Sequence, residues 1–171
     1  MSLEVETGSG SSIAESYLSE ADADTYHSNF GNTAWAALAS ADKEIALRKA
    51  TRYIDAKFSG DWYGKRTNSS QALDWPRAYV RDNDGYYLNS NAMPNDLKNA
   101  TAILALLAST EDIYANIDAN EGAMTVDEIV VGPIKINQHF AEGQSSAFKV
   151  YRLADDLLAQ FVSPGGSLDR G

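Results

Sequence analysis

The sequence predicts a mainly α protein: a small helical bundle around a central apolar helix, with a β-hairpin or extended arm and flexible termini. Three observations predict it. Residues 93–109 carry apolar positions at 97, 100, 104, 107 and 108, one helical stripe, which Ile103 and Leu106 widen to most of the circumference. Residues 41–58 and 151–161 each repeat a helical stripe of their own. Residues 126–137 place β-branched side chains on both sides of Gly132-Pro133, as a strand pair or a bent extended arm does. A chain of 171 residues with 44% apolar content has enough material for one domain with a real core, so disorder is excluded. The boundaries read as a flexible N-terminal arm at 1–16, a helical domain at 17–162 that includes the extended β arm at 124–140, and a C-terminal tail at 163–171.

Each element has its local reason. Gly8-Ser9-Gly10-Ser11-Ser12 has linker composition, hence the flexible arm. Ser19 is a helix N-cap with Asp22 at the capping-box position. Ala23, Tyr26, His27 and Phe30 then share a face until Gly31-Asn32 ends the run. His27 on that face reads as a satisfied core histidine. Thr33 to Leu38 is a short helical turn. Ser40 is placed as the cap of a long helix with the stripe Ala46, Leu47, Ala50, Tyr53, Ile54 and Phe58, stopped by Ser59-Gly60. Residues 60–92 are irregular, with Asp82-Asn83-Asp84-Gly85 as a tight turn between Tyr79-Val80-Arg81 and Tyr86-Tyr87-Leu88. Pro94 suits the first turn of the central helix, where its missing N–H is no loss, and Asp96 meets the positive end of the helix dipole. Tyr151, Leu153, Ala154, Leu157, Leu158 and Phe161 mark a last helix of about 12 residues, and Ser163-Pro164-Gly165-Gly166 stops it.

Chemistry is expected to be absent. There is no cysteine, so no disulfide and no thiolate. His27 and His139 are the only histidines and lie far apart in sequence. No metal spacing, nucleophile elbow, zincin, Walker or dinucleotide pattern occurs. The aspartate-rich turn at 82–85 lacks the later glutamate and regular ligand spacing of a calcium loop. We therefore expect no enzyme, no cofactor and no metal. No membrane span is expected, since the central helix is too short. The opening residues lack a basic segment followed by an apolar one, so no signal peptide is expected and synthesis is assigned to the cytoplasm.

The charge is unevenly distributed. The chain carries −10, which argues against wrapping nucleic acid with the whole surface. Residues 43–81 hold nine of the fourteen Lys and Arg against four acids, a local balance of +5 that leaves −15 for the rest. Between Lys98 and Lys135 there are six acids and no base. Two solvated faces of opposite sign explain this; so does a ring in which one copy's face meets the next copy's opposite face. In such a ring Glu111, Asp112, Asp118 and Glu121 are the candidates for a channel wall or an acidic face. Trp75 precedes Pro76 and is held extended, so its indole turns inward to the core or outward onto a neighbour. Arg77 can bind carbonyls or carboxylates in a fork. Trp62, Lys65 and Arg66 combine aromatic and basic character nearby.

Several stretches together carry a resemblance: Ser16-Tyr17-Leu18-Ser19 with Ala23-Asp24-Thr25-Tyr26, residues 46–55 (ALRKATRYID), Gln71-Ala72-Leu73-Asp74-Trp75-Pro76-Arg77, and Met93-Pro94-Asn95-Asp96-Leu97-Lys98-Asn99-Ala100-Thr101. Val131-Gly132-Pro133-Ile134-Lys135 and Ala154-Asp155-Asp156-Leu157-Leu158 extend it. The chain resembles tailed-phage head–tail connector (adaptor) proteins, homologues of which are often labelled DnaT-like single-stranded-DNA-binding proteins. The resemblance implies a helical bundle with a β arm, in a ring of about twelve copies with closed symmetry, located in the virion neck. It implies the portal and the tail or stopper proteins as partners, with packaged double-stranded DNA passing through unbound. Trp75, Arg77, Trp62, Lys65 and Arg66, together with Leu168 and Arg170 of the tail, are then the interface candidates. No catalytic residue is implied. The alternative function is a single-stranded-DNA-binding module, which requires a basic groove with stacking aromatics; Lys57, Trp62, Tyr63, Lys65 and Arg66 supply both together.

Overall fold

A computed structural model of the chain describes residues 2–114, 127–131, 134–138 and 151–163. Five helices and four short strands occur among them: α1 (Glu20–Asn29), α2 (Thr33–Ala36), α3 (Ser40–Phe58), β1 (Lys65–Arg66), β2 (Arg77–Ala78), α4 (Asn95–Thr110), β3 (Asp127–Val131), β4 (Ile134–Gln138) and α5 (Arg152–Leu158), the last continued by a 3₁₀ turn, Ala159–Phe161. The protein is mainly helical, as the periodicities predict. The chain divides into two compact units, Met1–Ile113 with Tyr151–Gly171, and Tyr114–Val150.

In the first unit α4 is the central element, packed against α3 on one side and α5 on another. Its buried positions are Leu97, Ala100, Thr101, Ala102, Leu104, Ala105 and Ala108. The alanines and threonine let neighbouring backbones come close, while Leu97 and Leu104 fill the space between. Thr101 is tolerated inside because its hydroxyl donates to the Leu97 carbonyl at 2.8 Å. Pro94 is the N-cap itself, its carbonyl accepting from the Lys98 amide at 3.1 Å. From α3 come buried Ala46, Leu47, Ala50, Thr51, Tyr53 and Ile54, with Phe58 half-buried at the end of the stripe.

Ser19 caps α1, its Oγ accepting from the Asp22 amide at 3.1 Å. The expected cap at Ser40 differs: Ala39 occupies the cap position, and the Ser40 hydroxyl donates to Glu20 Oε2 at 2.6 Å, joining α3 to α1. His27 is buried, with Nε2 3.1 Å from the Ala102 carbonyl of α4 and Nδ1 3.0 Å from Asn32 Nδ2. That pattern makes Nε2 the donor and Nδ1 the acceptor, and burial holds the imidazole below its usual pKa. It is a core residue.

The last helix is shorter than its apolar pattern. After Leu158 the chain tightens into the 3₁₀ turn because residues 61–63 compete for its backbone. The Tyr63 amide donates to the Phe161 carbonyl at 2.9 Å, Trp62 bridges Val162, and the Ser163 amide donates to the Asp61 carbonyl at 2.7 Å.

The N-terminal segment requires a correction. Residues 2–16 do not form a flexible arm. Val5 bridges Ser16, and the Glu6 amide donates to the Ser16 carbonyl at 2.8 Å. The Glu6 side chain, 1% exposed, turns back into the glycine–serine loop. Its Oε1 accepts from the Gly8 and Gly10 amides at 2.8 and 3.0 Å, and its Oε2 from the Ser11 amide at 2.7 Å. Gly8 and Gly10 both have positive φ, and a Cβ on Gly8 would stand 2.0 Å from the Asn91 carbonyl oxygen. The glycines therefore make a tight wrap around a carboxylate, not a linker.

The second unit contains the predicted strand pair. β3 and β4 are antiparallel, with Ile129 opposite Ile136 and Val131 opposite Ile134. They form a two-stranded sheet by themselves, so both outer edges lack a third strand among the described residues. Of the tail at 163–171 only Ser163 is described; Leu168 and Arg170 lie outside the described residues.

Candidate functional site

The loop face built by residues 60–92 gathers most of the side chains the sequence singles out. Gly64 turns the chain with φ +69°, and a Cβ there would meet the Ala78 carbonyl oxygen at 2.1 Å. That close approach lets β1 pair with β2, Lys65 opposite Ala78 and Arg66 opposite Arg77. Arg77 binds carbonyls in a fork, as its shape allows: Nε to Tyr63 at 2.8 Å, Nη1 to Asp74 at 3.1 Å and Nη2 to Gly64 at 3.1 Å. It closes this loop upon itself and is engaged within the chain.

Trp75 and Trp62 also need correcting as surface candidates. Trp75 is fully buried, its peptide bond to Pro76 cis, and Trp62 is nearly so. Their rings meet edge to face at 5.8 Å; Trp75 also meets Phe161 at 5.3 Å, and Trp62 meets Phe58 at 5.4 Å. The loop folds back over the end of α3 and the 3₁₀ turn, which leaves the indoles no path to a partner. Lys65 and Arg66 remain on the surface.

Much of the basic stretch is likewise engaged internally. Lys43 pairs with Asp24 at 2.8 Å, Arg48 with Glu15 at 2.9 Å and with Glu44 at 3.3 Å, and Lys57 with Asp155 at 2.7 Å. The expected basic face is thus thinner than the residue count implies. Of the acidic candidates, Glu111 and Asp112 are exposed just past α4, beside Tyr151. Burial, and then these two carboxylates, raise the Tyr151 phenol to about 12. Asp118 and Glu121 lie outside the described residues.

Of a group of four exposed tyrosines, sequence reasoning singled out Tyr63 alone and missed Tyr79, Tyr86 and Tyr87. Tyr63, Tyr79, Tyr86 and Tyr87 are 42%, 69%, 73% and 62% exposed, although aromatic rings favour burial. The turn at 82–85 brings them together. Arg81 bridges Tyr87, the Leu88 amide donates to the Val80 carbonyl at 2.9 Å, and Asp82 Oδ1 accepts from the Tyr86 amide at 2.8 Å. Arg81 stacks on Tyr87 at 4.3 Å and donates to its hydroxyl at 2.7 Å; the Lys65 ammonium sits 5.4 Å from the Tyr79 ring. Tyr79 has φ +64°, a left-handed conformation that is costly for an aromatic residue. The readable signal was the Asp-Gly turn followed by two tyrosines, where strand alternation would turn one ring inward.

The same loop also contributes Asp74 to a buried polar junction. The Tyr17 hydroxyl donates to Asp55 Oδ1 and accepts from the Asp74 amide at 3.1 Å, while Asp55 Oδ2 takes the Asp74 amide at 3.3 Å. Burial, reinforced by the Asp74 charge, raises Asp55 from 3.8 to about 7, against the lowering effect of its hydrogen bonds and of Arg77. A carboxyl that binds its proton more tightly when folded loses stability as pH rises from its unfolded to its folded pKa. Between about pH 4 and pH 7 the wild type should therefore lose up to about 1.4 kcal/mol per pH unit from this group. Asp55→Asn should remove that slope; urea titrations at a series of pH values check it, and parallel profiles for the two proteins would refute it.

No group of metal-ligating side chains and no helix long and apolar enough to cross a membrane occurs among the described residues. The class this defines is a helical domain with an aromatic and basic loop face and a β ribbon. The chain belongs to the family described as "Putative DnaT-like ssDNA binding protein", whose model matches residues 1–170. No curated protein and no solved structure matches it.

Proposed function

We propose that this protein is a structural subunit of the tailed-phage neck. Copies form a ring below the portal, join the head to the tail and extend the DNA channel, with no catalytic centre and no cofactor. The observation that carries this reading is the β3–β4 ribbon. A two-stranded hairpin is marginal alone, and edges that no described strand covers are templates for another chain. A compact helical body bearing such a ribbon suits assembly better than catalysis. The motif resemblance adds the phage neck as the place, and the net charge of −10 suits a wall past which DNA slides. Portal and tail or stopper proteins are the partners, and the virion is the location.

A second reading, a single-stranded-DNA-binding module, is favoured by the family description and by the exposed tyrosines, which offer stacking faces. Mass measurement of the purified protein, alone and with portal, separates the two. We expect a closed assembly with portal and weak binding of oligonucleotides at ~150 mM salt. A monomer that ignores portal and binds single strands at sub-micromolar concentration would establish the second reading instead.

A further inference from the structure

We infer that the tyrosine–arginine face is the surface through which one copy of this chain grips a second copy. The inference rests on the ring reading and names a contact surface for it. Tyr63, Tyr79, Tyr87 and Arg81, with Gln160 and Val162, line a groove of about 710 Å³. Tyr86 stands beside it, the most exposed of the four rings. Tyrosine and arginine are enriched among the residues whose truncation costs most at protein interfaces, and tyrosine buries a large area at small entropic cost. Here Arg81 is already held on Tyr87, so little freedom remains to be lost on docking. The left-handed Tyr79 adds an independent sign: a strained backbone presents a ring to solvent instead of to the core.

Charge selects the occupant. The cations at this face are Lys65, Arg66 and Arg81, while Asp82 and Asp84 stand in the adjoining turn. The face is therefore mixed in sign, which a protein partner matches charge by charge. The complement comes from another stretch of the chain: between Lys98 and Lys135 there are six acids and no base, and Glu111 and Asp112 of that stretch are exposed just past α4. A second copy therefore brings an acidic surface to cations that the first copy leaves exposed.

The test uses the full-length protein, Arg81→Glu and the double variant Tyr86→Ser with Tyr87→Ser. All three side chains are exposed, so each variant should melt as wild type does. Sedimentation velocity over a concentration series should show self-association weakened roughly tenfold or more in both variants. If wild type and variants assemble over the same concentrations, this surface is not the contact, and the ring reading survives. Wild type that stays monomeric at every concentration, with and without portal, overturns the ring reading and this inference together. Loss of oligonucleotide binding in the variants with assembly unchanged assigns the face to nucleic acid and overturns the inference.

Discussion

Trp75→Ala should destabilise the protein by ~3–5 kcal/mol, the range for removing a large aromatic side chain from a packed interior. The whole stability of a domain is about 5–15 kcal/mol, so this change threatens folding itself. The indole is fully buried and meets Trp62 and Phe161 edge to face, so its loss opens a cavity that the segments bearing those two rings would have to collapse into. Its Nε1 has no acceptor among the described residues, so packing is what the substitution removes there. Trp75→Phe should therefore recover much of the loss. Denaturant midpoints of the three proteins check this. A Trp75→Ala protein that melts with wild type but no longer assembles would return the indole to an interface.

Glu6→Ala should be nearly as damaging, although the sequence around it looks like a linker. Removing the carboxylate strips the acceptor from three amides, those of Gly8, Gly10 and Ser11. Each buried donor left unpaired costs about 1–3 kcal/mol, and bonds to a charged acceptor lie at the upper end. The loop is also tied elsewhere: the Ala72 amide donates to the Ser11 carbonyl at 2.8 Å, and Asn68 Nδ2 to the Gly10 carbonyl at 3.2 Å. Loosening it should therefore loosen residues 67–73, which lead into the Trp75 turn. Hydrogen exchange at Gly8, Gly10 and Ser11 should accelerate strongly in the variant, together with proteolysis near residue 10. Unchanged exchange would mean that the segment is as mobile as its composition suggests.

These two residues show where sequence reading stopped. Glycine and serine serve a floppy tether and a tight positive-φ wrap equally well, because both follow from the missing Cβ and the small side chain. Only a buried carboxylate in reach of the amides distinguishes them, and Glu6 announces nothing in a chain rich in acids. For Trp75, the proline fixed an extended backbone but not the direction of the ring. The tyrosines failed for the opposite reason: aromatic residues next to a turn suggest burial, and only the packed loop leaves four of them outside. The cations were countable, but their partners were not. Lys43, Arg48 and Lys57 meet acids 19, 33 and 98 residues away, separations at which sequence carries no pairing rule.

What the sequence alone determined was the set of helices, the Ser19 cap, the central place of α4 and the extended, β-branched character of residues 126–137, which the structure resolves as a strand pair and not a bent arm. Those follow from periodicity, capping and turn chemistry, which act within a few residues. What only the tertiary structure decided was which side chains remain outside. That depends on how residues 2–16, the loop at 60–92 and the 3₁₀ turn pack over one another, and burial is a property of the assembled surface rather than of any segment. The loop face with its tyrosines and Arg81 is the result of that packing, which is why the surface we assign to a second copy could not be read from the chain before it was folded.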